Sequence, residues 1–143
     1  MRAVCTQLNG TAEELDGVNF DVIVVRLPLE LSQFCLNDCL QCASAYHHFE
    51  SIEAVTRTLT FFLKPGGTLM VSDIMKPSDG EVFPRDGAHR HIVAHRGGFE
   101  EKDLQKAFDA ADLRDTSFNK VTSAKTPDGR QVDIFLATGL KSL

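Results

Sequence analysis

Phe20-Asp21-Val22-Ile23-Val24-Val25 and Thr68-Leu69-Met70-Val71-Ser72-Asp73 are two apolar runs of strand length, and what joins them decides the fold. Ile52, Val55, Leu59, Phe62 and Leu63 recur at helical spacing, with Glu50 or Ser51 at the start and Lys64-Pro65-Gly66-Gly67 forcing a stop. Two strands connected through a helix must lie parallel in one sheet. Open parallel sheets hold their ligands beyond the carboxyl ends of the strands. The loop Ala43-Ser44-Ala45-Tyr46-His47-His48-Phe49, with its paired imidazoles, is therefore expected at such an end.

Working outward, Phe20 to Val25 is apolar apart from Asp21, as a strand covered on both faces should be. Upstream, Asn9-Gly10 breaks a short alternating stretch, and Thr11 with Glu14 three residues on has the form of a capping box. Asp16-Gly17 limits the helical segment begun there to a single turn. Downstream, Ile74 to Phe99 is rich in proline and glycine and reads as a long irregular segment, the kind that usually forms a lid or binding loop. Phe99, Leu104, Ala107, Phe108, Ala111 and Leu113 mark a second amphipathic helix over roughly 100–111. Thr126-Pro127-Asp128-Gly129 is a turn sequence, and it predicts antiparallel pairing of 116–124 with 131–138.

The 143 residues, 43% hydrophobic and 24% charged, suit one domain, and the formal charge of -5 argues against a nucleic-acid-binding protein, which needs a basic face. Arg85, His89, Arg90, His91, His95 and Arg96 form at most a local basic patch, with a solvated loop as the plainer reading. His89, His91 and His95 lie close in sequence, but no helix or strand fixes them as metal ligands, and no metal is expected. No apolar run reaches the roughly 18 residues of a membrane helix, and no signal pattern opens the chain, so a cytoplasmic protein without membrane partners is expected. Four clustered cysteines, Cys5, Cys35, Cys39 and Cys42, read as reduced thiols rather than a disulfide framework.

The order of these segments resembles the second half of a class I S-adenosylmethionine-dependent methyltransferase. That family follows its fourth strand with a small residue, an aromatic and His-His, as in the loop 43–49, and turns into its fifth strand through a sequence similar to Leu63-Lys64-Pro65-Gly66-Gly67. It ends on a helix, a strand and a returning hairpin strand. The resemblance implies an α/β, Rossmann-like sheet, incomplete, with a C-terminal antiparallel hairpin. It implies S-adenosylmethionine as cosubstrate and a small-molecule methyl acceptor, shaped by the segment 75–99. By the same resemblance Thr11, Ala12 and Glu13 occupy the family's acidic adenine-side segment, with threonine where a carboxylate is usual. Ala43, Ser44 and Tyr46 fall beside the methionine end of the cosubstrate, and His47 or His48 is the candidate base, imidazole titrating near neutrality. The plainer alternative has one histidine capping the following helix and the other packing.

The family's glycine-rich loop after strand one and the acidic residue after strand two have no counterpart: no G-x-G-x-G occurs in this sequence. In the family's sheet those strands separate strand three from strand four. Phe20 to Val25 is thus expected to present an unpaired edge, open to pairing with a second copy, and the chain is expected to be a fragment or truncated product. Deleting 25–41 joins Val24 to Cys42 in a normal strand-to-loop passage, so that interval reads as an insertion, either a retained intron translated in frame or a genuine lid. Cys35, Cys39 and Cys42 also form C-x-x-x-C-x-x-C, an iron-sulfur spacing in radical enzymes, but the chain is too short for their barrel. A nicotinamide-dependent reductase lacks support, since position 50, four after the only tyrosine, Tyr46, is Glu50 and not lysine. A non-catalytic partner of a full-length relative is the alternative to an enzyme.

Overall fold

The computed structural model describes residues 8–25, 39–42, 46–78, 82–83, 93–126 and 129–143, with only the backbone described over 39–42. Five strands form one sheet: β1 (Phe20–Val25), β2 (Cys39–Cys42), β3 (Leu63–Ile74), β4 (Leu113–Lys125) and β5 (Gln131–Lys141), in the spatial order β2-β1-β3-β5-β4. Two α-helices, α1 (Ile52–Phe61) and α2 (Glu101–Asp109), and two short 3-10 turns, Glu14–Gly17 and Tyr46–His48, complete the described architecture.

β1 and β3 run parallel, with Val22 to Val25 opposite Thr68 to Val71. Their apolar content explains the central position, since Ile23, Val25, Leu69 and Val71 are all fully buried. The register breaks between Phe20, opposite Leu63, and Val22, opposite Thr68, so Lys64-Pro65-Gly66-Gly67 makes a bulge inside β3 rather than a separate turn. There Gly67 has no room for a side chain, because a Cβ would stand 2.9 Å from Lys64 O and 3.0 Å from Asp21 O.

α1 is short of the sequence expectation by two residues at its end. Ser51 caps it, its hydroxyl accepting from Ala54 N at 3.2 Å. Lys141 Nζ closes the other end by donating to Thr60 O at 2.8 Å and Leu63 O at 2.7 Å. α2 opens with a capping box between Glu100 and Asp103 and buries Leu104, Ala107 and Phe108. An ion pair joins the helices, Lys106 Nζ to Glu53 Oε1 at 2.9 Å, and that hydrogen-bonded ammonium holds the Glu53 carboxyl below the usual range.

The hairpin is longer than the sequence turn alone predicts. β4 pairs antiparallel with β5 from Leu113 opposite Lys141 to Lys125 opposite Gln131, and β5 inserts between β4 and β3. β4 is a largely exposed edge, carrying Lys120 and Lys125 on it, a composition that discourages further pairing. Ahead of β1, the expected capping box is half made: Glu14 accepts from Thr11 N at 3.2 Å and also from Asn9 N and Gly10 N at 3.0 Å. The turn Glu14–Gly17 then ends in left-handed backbone at Leu15 and Asp16.

One expectation is corrected. β1 does not present an open edge, because β2 lies parallel along it with Val22 to Val25 opposite Cys39 to Cys42. The interval 25–41 therefore contributes to the sheet: Val25 is the buried last residue of β1, and three of the four β2 residues, Cys39, Leu40 and Gln41, fall inside it. Backbone hydrogen bonding along an exposed strand is gained whenever a nearby extended segment can reach it. Cys5 and Cys35 lie outside the described residues.

Candidate functional site at the carboxyl ends of β1 and β3

The residues after β2 and the last residues of β3 meet because β2, β1 and β3 all point the same way. A one-turn 3-10 helix, Tyr46–His48, carries the paired imidazoles. His47 is buried, and Asp73, the penultimate residue of β3, has no exposed surface. The Asp73 carboxylate accepts from His47 Nδ1 at 2.9 and 3.1 Å, from His47 N at 3.0 Å and from Ile74 N at 2.7 Å. A carboxylate that takes both the main-chain N–H and one ring nitrogen of the same histidine fixes backbone and imidazole together. With Nδ1 facing an acceptor-only carboxylate, the neutral ring carries its proton on Nδ1 and keeps its lone pair on Nε2.

Aromatic groups flank that ring. Phe83 stacks on His47 with centroids 4.7 Å apart and planes 27° from parallel, and the His48 ring lies 4.1 Å from it. His48 itself is exposed. Tyr46 is fully buried, its hydroxyl 3.0 Å from Thr56 Oγ1 on α1, and its ring meets Phe49 edge-on. Thr56 Oγ1 in turn donates to Ile52 O at 2.6 Å, so the loop is anchored to the first turn of α1. Neither histidine caps α1; Ser51 does that, and His47 spends its ring on Asp73.

The chain beyond β3 folds back over this end. Val82 N and Phe83 N both donate to Arg96 O, at 3.0 and 3.1 Å. Ala94 N and His95 N donate to His47 O, at 2.9 and 3.0 Å. Residues 97–99 then run beside the end of β3, where Phe99 N donates to Ile74 O and Lys76 N to Phe99 O. Gly98 permits this approach: its φ is +71° and a Cβ would stand 2.8 Å from Ile74 O.

Of the residues singled out in the sequence, Tyr46, His47, His48 and His95 are brought together. Ala43, Ser44, His89 and His91 lie outside the described residues. Thr11, Ala12 and Glu13 are exposed, and the adjoining Gly10 packs on Thr58 and Phe61. His47 precedes the first turn of α1, so the acidic-side stretch joins the helix roughly 9 to 14 Å further along its axis, by the rise per residue. Asp73 was visible in the sequence only as the residue closing a strand. The signal for its role is that a carboxylate at the tip of one parallel strand lies at the same end of the sheet as the loop leaving another. Among the described residues no group of metal-ligating side chains converges, and no helix is long and apolar enough to cross a membrane.

No family model matches the chain. An uncharacterized methyltransferase of Schizosaccharomyces pombe is 38% identical over 79 residues, which is 53% of this chain and 28% of the yeast protein, so the chain spans little more than a quarter of that relative. Among solved structures, an S-adenosylmethionine-dependent methyltransferase from Methanosarcina mazei matches with a TM-score of 0.55 at 11% identity, over 87% of this chain and 94% of that one. A methyltransferase-like protein from Bacillus halodurans, described as a putative methyltransferase, gives a TM-score of 0.55 at 14% identity, over 87% and 65%. In fold the chain is a Rossmann-like class I methyltransferase sheet, open and incomplete, and its sequence is related to that of a methyltransferase.

Proposed function

We propose that this chain supplies the acceptor-side half of an S-adenosylmethionine-dependent methyltransferase acting on a small molecule, with His47 as general base and Asp73 as the residue that positions it. The observation that carries the reading is the buried pair: His47 bound through both its main-chain N–H and Nδ1 to one carboxylate at the tips of two parallel strands. S-adenosylmethionine, when bound, supplies a methyl group on a sulfonium that is already an activated donor, so the protein's part is alignment and proton removal. Asp73 holds Nδ1–H and leaves Nε2 as the atom that takes the acceptor's proton as the new bond to carbon forms. Phe83 covers one face of the ring and keeps water from it.

The residues here fit half of a donor site. The sequence has no glycine-rich turn to admit a nucleotide to the backbone, and Gly10 with its acidic-side neighbours sits toward the far end of α1. The donor cradle on this reading comes from polypeptide outside this sequence, adding to the sheet beside β2. A second reading, a non-catalytic partner of a full-length relative, draws on the same missing turn.

Isothermal titration with S-adenosylmethionine separates the two. The catalytic reading expects little heat from the chain alone and saturable binding, at least tenfold tighter, once a class I N-terminal half bearing a G-x-G-x-G turn is added. Equal, negligible heat in both titrations favours the non-catalytic partner.

A further inference from the structure

We propose that His95 is an acceptor-binding residue whose ring Nε2 hydrogen-bonds an oxygen of the methyl acceptor, so that the acceptor is a small molecule bearing a carboxylate. The assignment rests on the reading of the site given above and names its substrate class. Among the described residues only two buried side-chain polar atoms lack a partner, Thr60 Oγ1 on α1 and His95 Nε2. A buried ring nitrogen without a hydrogen bond is a standing cost to a fold, and native structures retain few.

The His95 backbone and ring both have defined neighbours. Its main-chain N–H is fixed to His47 O at 3.0 Å. Its ring lies against Phe99, centroids 5.0 Å apart, and Phe99 is itself buried, its N–H bonded to Ile74 at the end of β3 and its carbonyl to Lys76 N just beyond. Nor do the described residues offer a counterpart: Asp73, the buried carboxylate of this end of the sheet, already accepts from His47 N, His47 Nδ1 and Ile74 N. On this assignment the partner is a bound molecule, and the main chain that carries the His95 ring is held by the carbonyl of the candidate base.

An oxygen is the partner that suits the ring best. Nε2 donates in the imidazolium and in one of the two neutral tautomers, whereas a ligand N–H would require the other tautomer alone. A carboxylate adds charge assistance to that bond.

The test uses the full chain and benzoate, with benzylamine as the probe of opposite charge. Long-range nitrogen-proton spectra of the imidazole rings should show the His95 Nε2 resonance moving saturably with benzoate and staying still with benzylamine. Benzoate should bind His95→Phe roughly tenfold or more weakly, the loss expected for one charge-assisted hydrogen bond, and His95→Gln, which keeps a donor at similar reach, should recover part of it. A His95 ring unmoved by benzoate in the unaltered chain, or a folded His95→Phe that binds as tightly, overturns the assignment. No sulfonium donor enters this titration, so failure to bind S-adenosylmethionine with benzoate binding intact would count against the methyltransferase reading alone.

Discussion

Replacing Asp73 by asparagine keeps the shape of the most buried polar group in the site and removes its charge. The carboxylate accepts at both oxygens: Oδ1 from Ile74 N and His47 Nδ1, Oδ2 from His47 N and again from Nδ1. A carboxamide accepts at one oxygen only, and its NH2 must face either an N–H of His47 or that of Ile74. One bond to a charged group is lost outright, at about 1.5–3 kcal/mol, and the others lose charge assistance, giving about 2–4 kcal/mol in all. For a chain of this size that is a fall in Tm of roughly 6–14 °C. Urea unfolding followed by circular dichroism measures it. The double variant with His47→Gln should be less destabilised than the sum of the singles by at least about 1 kcal/mol, because the two side chains share the interaction. The NH2 group also favours the tautomer of His47 protonated on Nε2, which ring nitrogen shifts report. A loss below about 0.5 kcal/mol, additive singles and an unchanged tautomer would refute the pairing.

Three further perturbations test the frame around the site. Gly98→Ala forces a Cβ to within 2.8 Å of Ile74 O at a left-handed φ, and thermal melting should show a loss of about 2–4 kcal/mol, from backbone strain and a displaced strand end. Ser51→Ala removes the α1 cap and should cost about 1 kcal/mol in the same assay, with no change in the His47 ring resonances. Glu53 has its carboxyl held low by the Lys106 ammonium, so its contribution is present above the ordinary carboxylate range and is lost as pH falls through the lowered value. Unfolding curves from pH 6 down to pH 3 should therefore show a smaller acid-induced loss in Glu53→Gln than in the unaltered chain.

How much of the fold was legible in the sequence depends on the range of the interactions involved. The helix Ile52–Phe61 and the parallel pair β1 and β3 announce themselves through apolar spacing and through Lys64-Pro65-Gly66-Gly67, all local signals. The hairpin was legible from its turn, but its full length depends on β5 finding β3 on one side and β4 on the other, which only the sheet decides. Cys39–Cys42 carries no strand signal: four residues of mixed polarity become a strand because β1 has an edge to fill. His47 and His48 were singled out from their loop, yet they are not alike in the fold, one buried against Asp73 and the other exposed. Asp73 lies 26 positions from His47, and no pattern within either segment pairs them; parallel strand direction does. The acidic-side residues Thr11, Ala12 and Glu13 were placed by order along the chain, which says nothing of how Gly10 packs on α1.

Methyl transfer itself is the most direct test. S-adenosylmethionine carrying tritium in its methyl group, incubated with this chain, a class I N-terminal half with a G-x-G-x-G turn and a small-molecule extract, should label an acceptor of low molecular mass. The label should fall by a hundredfold or more with His47→Gln, in line with the loss of a general base. Undiminished labelling by the His47→Gln chain, or none by the unaltered chain once the donor is shown to bind, would contradict the role given to the His47 and Asp73 pair.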